Sequence, residues 1–305
     1  MKILKALQRR KQENERIVPF ERKYEPESCA PTTFPLGDIK IGAPSSSEPE
    51  IASNDNPITF TQAETLVFPK LEIDPEIVHQ RLISIKAPNS GYCEEYRNLR
   101  THILHESQKR HLKVITITSI NPNEGKSITA LNLAWLLAQT DGISTLLIDA
   151  DLRNPSLAGY LGIKPDKGLA HLLSGEINLQ ESICRLEPSG LHLIAGGAVK
   201  SDSSELLSGP KFRDLLQYLK KMFDYILIDA PPLAIFSDAK VSINQSDAAI
   251  LVVRSGHTKY STMTRILEGL PREKMLGVVL NDSEDLLQNE SYYRSYPKYA
   301  EVADS

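Results

Sequence analysis

The sequence predicts an α/β fold, a mostly parallel sheet with helices on both faces. Two observations carry the prediction: near-continuous runs of Ile, Val and Leu, typical of strands buried on both faces, and helix-length amphipathic segments between them. The predicted strands span 113–119, 145–150, 191–195, 225–230, 248–254 and 276–280. The predicted helices span 126–139, 168–174, 211–222, 239–245 and 258–270. No internal repeat interrupts this alternation, so we expect one α/β domain.

The first 70 residues differ in composition from the predicted domain. They hold eight of the nineteen prolines and show no sustained apolar periodicity, which is typical of a disordered or loosely ordered arm. Residues 1–16 can form a short basic helix that is either solvated or docked on a partner or an anionic membrane surface. Lys2 and Lys5 interrupt its apolar run, so no secretory signal is expected. We therefore predict an arm over 1–70, a domain over 71–285 and a tail over 286–305.

Charge and cysteine content exclude several functions. The 305 residues carry 35 Lys and Arg against 39 Asp and Glu, and the resulting net charge of −4 argues against nucleic acid as a partner. The three cysteines are widely spaced and form no CxxC pair, so neither a disulfide framework nor a zinc site is predicted. No stretch approaches the roughly 20 apolar residues that span a bilayer. We expect a soluble protein of a reducing compartment, in which any work at a membrane is done through a partner.

The first predicted strand and helix flank a candidate phosphate site. The loop between them ends in Gly125-Lys126-Ser127, the order that a P-loop requires, although Ile120 stands where the full pattern has its first glycine. In such a loop, backbone N–H groups point at the phosphates, the lysine reaches the β and γ phosphates, and the hydroxyl binds Mg²⁺. The predicted nucleotide-binding residues are Asn123, Glu124, Gly125, Lys126, Ser127 and Ile128.

Two further predicted strands end in aspartates. Asp149 lies near the end of the strand at 145–150 and Asp151 directly follows it, and Asp229 lies near the end of the strand at 225–230. In an open parallel sheet, ligands bind beyond the carboxyl ends of the strands, where these aspartates and the P-loop converge. Carboxylates and hydroxyls suit Mg²⁺, whereas the alternative is that the aspartates only cap strands or helices. The predicted catalytic residues are Lys126, Asp149, Asp151 and Asp229, and the predicted metal ligands are Ser127, Asp149 and Asp229.

This arrangement resembles a known family. Asp149-Ala150-Asp151-Leu152-Arg153 looks like the second Walker motif of the bacterial protein tyrosine kinases, the CapB-like cytoplasmic kinases of polysaccharide export, and residues 228–232 look like their Walker B motif. The resemblance covers roughly residues 90–299 and implies a P-loop NTPase of the MinD and ParA type. The long arm and residues 71–75 look closer to the exosortase-associated autokinases.

The resemblance extends to a charged segment upstream and also shows departures. Glu94, Arg97 and Arg100 match the E-x-x-R-x-x-R helix that pairs neighbouring subunits in the family's ring, and a solvated helix face is the alternative. The predicted oligomer interface is Glu94, Arg97, Arg100 and Arg153. Asn123 and Ile128 replace a glycine and a threonine of the family's P-loop, which can reduce affinity or rate. Because Asn tolerates left-handed backbone, we expect the loop to keep its shape.

The tail is rich in tyrosine, with four of the chain's eleven in the last fourteen positions. With this tail, the resemblance implies an ATP- and Mg²⁺-dependent tyrosine autokinase that regulates exopolysaccharide or capsule synthesis and export. The implied phosphoacceptors are Tyr292, Tyr293, Tyr296 and Tyr299. The implied partners are an inner-membrane polysaccharide co-polymerase or chain-length regulator as activator, further copies of the chain in a ring, and a cognate tyrosine phosphatase.

Two other functions stay open at this point. A non-kinase ATPase of the MinD and ParA type shares the sheet and the aspartates, but it carries an extra lysine five residues before the P-loop lysine, where this chain has Asn121. A nucleotide-binding regulatory subunit of the export machinery is the second alternative. It would neither turn over ATP nor phosphorylate the tail.

Overall fold

An eight-stranded sheet organises the residues that the computed structural model describes, which are 67–165, 167–197 and 203–283. In chain order its strands are β1 (Lys70–Glu72), β2 (Val114–Ser119), β3 (Thr145–Asp149), β4 (Ile183–Glu187), β5 (Leu191–Ile194), β6 (Tyr225–Asp229), β7 (Ala248–Arg254) and β8 (Met275–Asn281). They lie in the order β1-β4-β5-β3-β6-β2-β7-β8. Neighbouring strands are parallel except β4 and β5, which pair antiparallel.

Helices cover both faces of the sheet. The helices on one face are α1 (Ile83–Lys86), α2 (Gly91–Arg110), α3 (Lys126–Ala138) and α4 (Leu157–Tyr160). Those on the other are α5 (Leu169–Ser174), α6 (Leu179–Ser182), α7 (Ser203–Ser208), α8 (Pro210–Leu219), α9 (Asp238–Gln245) and α10 (Tyr260–Glu268). The central strands contribute side chains to both helix layers, because successive side chains point to opposite faces of the sheet. In β7, Ile250 and Val252 pack on the α3 side and Ala249 and Leu251 on the α9 side.

The fold class and the six predicted strands are confirmed, and the predicted helices correspond to α3, α5, α8, α9 and α10. Helix α8 ends at Leu219, three residues earlier than predicted. The prediction misses β1, which has three residues, and β4, whose apolar run is interrupted by Arg185 and Glu187. Strand β1 begins at Lys70, so the sheet starts one residue inside the predicted arm.

Two predicted regions, the N-terminal arm and the C-terminal tail, lie largely or wholly outside the residues that the structure describes. The arm up to residue 66 and the tail from residue 284 lie beyond them, so the predicted domain boundaries stay predictions. In the ranges that the structure covers, no helix has both the length and the apolar composition that a bilayer span requires.

The sheet order places the candidate site. Strand β6 lies between β2 and β3, so the carboxyl ends of all three meet at one edge. In this register Asp149 on β3 is directly opposite Asp229 on β6. Helix α3 starts at Lys126 and is buried nearly all round, which fixes the P-loop between a buried strand and a buried helix.

Candidate active site

The P-loop takes the backbone shape that its sequence allows. Asn123 has φ 61° and Gly125 has φ 92°, both in the left-handed region. The expectation that Asn123 is tolerated in place of glycine is therefore confirmed. Ile120 has no positive φ and its side chain is fully buried in the core, so this position does not need a glycine. Ile128 is also buried, at 8% exposure, so its side chain belongs to the core rather than to a ligand surface.

Gly125 is closely approached by the last strand. A Cβ atom at this position would collide with Nδ2 of Asn281 and lie 3.2 Å from its Cγ. The same Nδ2 donates a hydrogen bond to the Glu124 carbonyl at 2.9 Å. Glycine therefore suits this position, because the backbone is left-handed and a Cβ would displace the Asn281 amide.

Lys126 lies among carboxylates. Its Nζ is 2.9 Å from Oδ2 of Asp151 and 3.3 Å from both carboxylate oxygens of Asp229, and it donates to Ser127 Oγ at 3.0 Å. Burial alone would lower the pKa of Lys126, but the carboxylates of Asp229 and Asp151 outweigh it and raise the pKa above its usual range. The lysine is thus a fixed positive charge at the start of α3.

Asp229 and Asp149 form a buried carboxylate pair. Ser127 Oγ donates to Asp229 Oδ2 at 2.6 Å, while Asp149 Oδ2 accepts the backbone N–H groups of Ser156 and Leu157 at 3.0 and 3.1 Å. Burial, reinforced by the charge of Asp229, raises the pKa of Asp149 to about 8. Burial also raises the pKa of Asp229, although Lys126 and Ser127 oppose it.

Asp151 completes the group. It is 3% exposed, accepts the N–H of Asn154 at 3.2 Å through Oδ1, and directs Oδ2 at Lys126. The structure therefore brings together all four predicted catalytic residues and Ser127.

The donor set fits Mg²⁺ held jointly with a nucleotide. Among the described residues, no cluster of three or more His, Cys, Asp or Glu side chains forms a metal site by itself. Mg²⁺ at phosphate sites needs only one or two carboxylates, with phosphate oxygens and waters as its other ligands. The hard oxygens of Ser127 and Asp229, 2.6 Å apart, with Asp149 beside them in the register, are of the required kind.

The comparisons with known proteins agree with this geometry. A family model described as an AAA domain matches residues 112–272. The tyrosine-protein kinase CpsD of Streptococcus pneumoniae serotype 4 (strain ATCC BAA-334 / TIGR4) is 38% identical over 210 residues, 68% of this chain and 89% of CpsD. This chain belongs to the bacterial tyrosine-protein kinases. The resemblance noted in the sequence is confirmed, and so is the assignment as a protein-tyrosine kinase.

A solved structure supports the same family. The kinase domain of the Escherichia coli tyrosine kinase ETK is 28% identical with a TM-score of 0.63, covering 66% of this kinase and 79% of that chain. The succinoglycan biosynthesis transport protein ExoP of Rhizobium meliloti (strain 1021) is 35% identical over 242 residues, 74% of this kinase but 31% of ExoP.

The predicted interface residues of this kinase make contacts within the chain. Glu94 pairs with Arg97 at 2.9 Å on α2, and Arg100 donates to the carbonyl of Leu136 at 3.2 Å. Arg153 pairs with the buried Asp238 at 3.0 Å. It also donates to Ser204 Oγ at 3.1 Å and lies 4.7 Å from the ring centre of Phe236. An interface role for these four residues stays a prediction, and the four tail tyrosines lie outside the described residues.

Sequence reasoning misses three residues of the kinase site. Ser156 lies 3.2 Å from Ser127 Oγ, and Asn281 and Thr258 both contact Glu124. Asn281 directly follows the strand predicted at 276–280, so the strand-end argument that found the aspartates would also have found it. For Ser156 and Thr258 the sequence offers no comparable signal. Glu124 itself turns its carboxylate into the loop, so its predicted nucleotide contact concerns the backbone.

Proposed function

We propose that this kinase transfers the γ-phosphoryl group of ATP, with Mg²⁺, to its own C-terminal tyrosines and so regulates exopolysaccharide or capsule synthesis and export. The acceptors are Tyr292, Tyr293, Tyr296 and Tyr299. The observation that supports this most is the position of Lys126, at the end of a P-loop and within 3.3 Å of carboxylates from two strand ends. Phosphoryl transfer needs chiefly positioning and charge neutralisation, which this group supplies.

Lys126 changes partners when the nucleotide binds. In the structure it neutralises Asp151 and Asp229, and the phosphates of ATP offer it a stronger negative charge at the start of α3. The N–H groups at the N-terminus of α3 favour the same anion. Lys126 thereby binds the phosphates and releases Asp151 from its ion pair.

Ser127 and Asp229, with Asp149, would hold Mg²⁺. When bound, the ion neutralises charge on the phosphates. The bond from Ser127 to Asp229 keeps hydroxyl and carboxylate side by side, so both face the same ligand.

Asp151 is the better acceptor for the tyrosine proton. Asp149 is fully buried and its oxygens already accept three backbone N–H groups, so it is poorly placed to take up the tyrosine proton. Asp151 has an oxygen that Lys126 releases. In the proposed step the phenolic oxygen bonds to the γ-phosphorus, the bond from that phosphorus to ADP breaks, and the phenolic proton passes to Asp151.

The partners follow from the relatives. CpsD is named a tyrosine-protein kinase and ExoP a succinoglycan biosynthesis transport protein, which supports a role beside a polymer exporter. We place the kinase at the inner face of the cell membrane, activated by a polysaccharide co-polymerase and reset by a tyrosine phosphatase. Each tail phosphate adds about −1.5 to −2 charges, so several would repel one another and open a ring of subunits.

Incubation of the full chain with labelled ATP, Mg²⁺ and its activator tests this function. We expect label on tyrosine in the wild type, none in Lys126→Met, and none when all four tail tyrosines are replaced by phenylalanine. Lys240→Met is the matched control, because Lys240 is exposed on α9. Label that persists in a folded Lys126→Met variant contradicts the site. An unlabelled wild-type tail contradicts autophosphorylation and favours the regulatory subunit.

A further inference from the structure

The carboxylate of Glu124 binds inside the P-loop. Its Oε2 accepts the backbone N–H groups of Ile120 and Asn121 at 2.8 and 2.9 Å, and its Oε1 accepts the Asn121 side-chain amide at 3.1 Å. Glu124 is 3% exposed, and a carboxylate at that depth requires such donors. The loop is thus folded around one buried negative charge.

Thr258, which lies outside the P-loop, also donates a hydrogen bond to the Glu124 carboxylate. It lies between β7 and α10, and its hydroxyl donates to Glu124 Oε1. The Asn121 amide lies 3.4 Å from the same hydroxyl, so three side chains share one cluster. Through this contact the P-loop is held by the connection that leads from β7 into α10, a helix on the opposite face of the sheet.

The P-loop requires such support because of its backbone. Asn123 and Gly125, on either side of Glu124, both have left-handed φ values, a conformation that residues other than glycine adopt at a cost. A loop of this kind presents its N–H groups to phosphate only while that conformation persists. Contacts that maintain it before ligand binding lower the cost of binding.

We infer that Glu124 and Thr258 are positioning residues that hold the P-loop in its phosphate-accepting shape before the nucleotide arrives. The inference rests on the nucleotide binding proposed above. Neither side chain acts on the reacting atoms, because the carboxylate is engaged with loop N–H groups and the hydroxyl with the carboxylate. Bound phosphates hold the loop themselves, so loss of the contact weakens ATP binding and leaves the chemical step intact.

Kinetics of Thr258→Val against Thr264→Val test the inference. Thr264 donates to the carbonyl of Tyr260 within α10, so the control removes an equivalent hydroxyl without touching the P-loop. We expect Thr258→Val to raise the KM for ATP about tenfold, equivalent to about 1.4 kcal/mol, with kcat within about twofold. Thr258→Ser should restore the KM, and Thr264→Val should match the wild type. A KM equal to that of the control, or a fall in kcat at constant KM, overturns the inference.

Glu124→Gln provides a second variant, with folding checked by circular dichroism. Because Glu124 and Thr258 act through one contact, the double variant should raise the KM by less than the product of the single effects. Fully multiplicative effects refute the inference, and where Thr258→Val is poorly folded, a folded Glu124→Gln with an unchanged KM for ATP refutes it instead. A wild-type chain that binds no ATP refutes the proposed function, whereas normal wild-type binding with an unaffected Thr258→Val refutes only the positioning role.

Discussion

Gly125→Ala is expected to destabilise the kinase through two separable effects. A residue with a side chain in the left-handed region costs about 1–2 kcal/mol, and Gly125 has φ 92°. The new Cβ also displaces the amide of Asn281, which breaks its hydrogen bond to the Glu124 carbonyl. That bond contributes about 0.5–1.5 kcal/mol. We therefore expect a loss of about 1.5–3.5 kcal/mol in the free energy of unfolding.

Gly142→Ala separates these two effects. Gly142 has φ 73°, and apart from its chain neighbours no atom of the described residues lies within 4 Å of the position that a Cβ would occupy, so Gly142→Ala carries the backbone cost alone. Urea unfolding of both variants should show Gly125→Ala to be less stable by about 0.5–1.5 kcal/mol. In an Asn281→Ala background this difference should vanish, because the colliding amide is gone. Equal costs for the two glycines in the wild-type background would refute the steric reasoning.

Two further predictions concern stability. Asp238→Asn should lower the free energy of unfolding in urea by about 1–3 kcal/mol, because Asp238 is buried and its carboxylate binds Arg153. Asp282→Asn, which removes a charge from an exposed ion pair, should lower it by less than about 1 kcal/mol. Equal losses in the two variants would contradict the argument from burial. His192 packs against Phe68 and Phe223, and burial lowers its pKa from 6.5. Below that pH, His192 is protonated in the unfolded chain and still neutral in the folded chain, so protonation favours unfolding. The free energy of unfolding of the wild type should therefore fall relative to that of His192→Phe between pH 7.5 and 5.5, by at most about 1.4 kcal/mol per pH unit. Parallel pH profiles of the two proteins would disprove this.

The sequence predicts the central part of the fold well because burial there is uniform. Strands β2, β3 and β6 are buried at every residue, so their sequences consist mostly of Val, Ile, Leu and Thr, and polar residues mark their carboxyl ends. Towards the sheet edge that ends in β1, the strands have fewer buried residues and their apolar pattern is weaker. Strand β4 mixes buried and partly exposed positions over five residues, and β1 acquires its structure from pairing with β4. Such strands depend on tertiary contacts that no local pattern records.

The site was predictable to the extent that its residues occupy strand ends and the P-loop. Lys126 and the three aspartates converge because of sheet topology, which the strand pattern implies. The Glu124 to Thr258 contact joins residues 134 positions apart, and a threonine in a polar segment has no distinguishing context in the sequence. The same holds for Arg153, which pairs with Asp238 across 85 positions. Side-chain partners at such separations require the folded structure.

Asn281 also lies a short distance along the chain from the tyrosine-rich tail. It ends the last strand beside Gly125, and Tyr292 lies eleven positions further along the chain, a span of at most roughly 36–40 Å. If Tyr292 is an acceptor, as proposed above, a short tether joins it to the site of its own chain, and short flexible tethers give effective concentrations on the order of millimolar. Transfer within one chain would proceed at a rate per chain that dilution does not change, whereas transfer between copies of the chain would slow on dilution. The dilution dependence of autophosphorylation thus reports which copy of the kinase supplies the tyrosine.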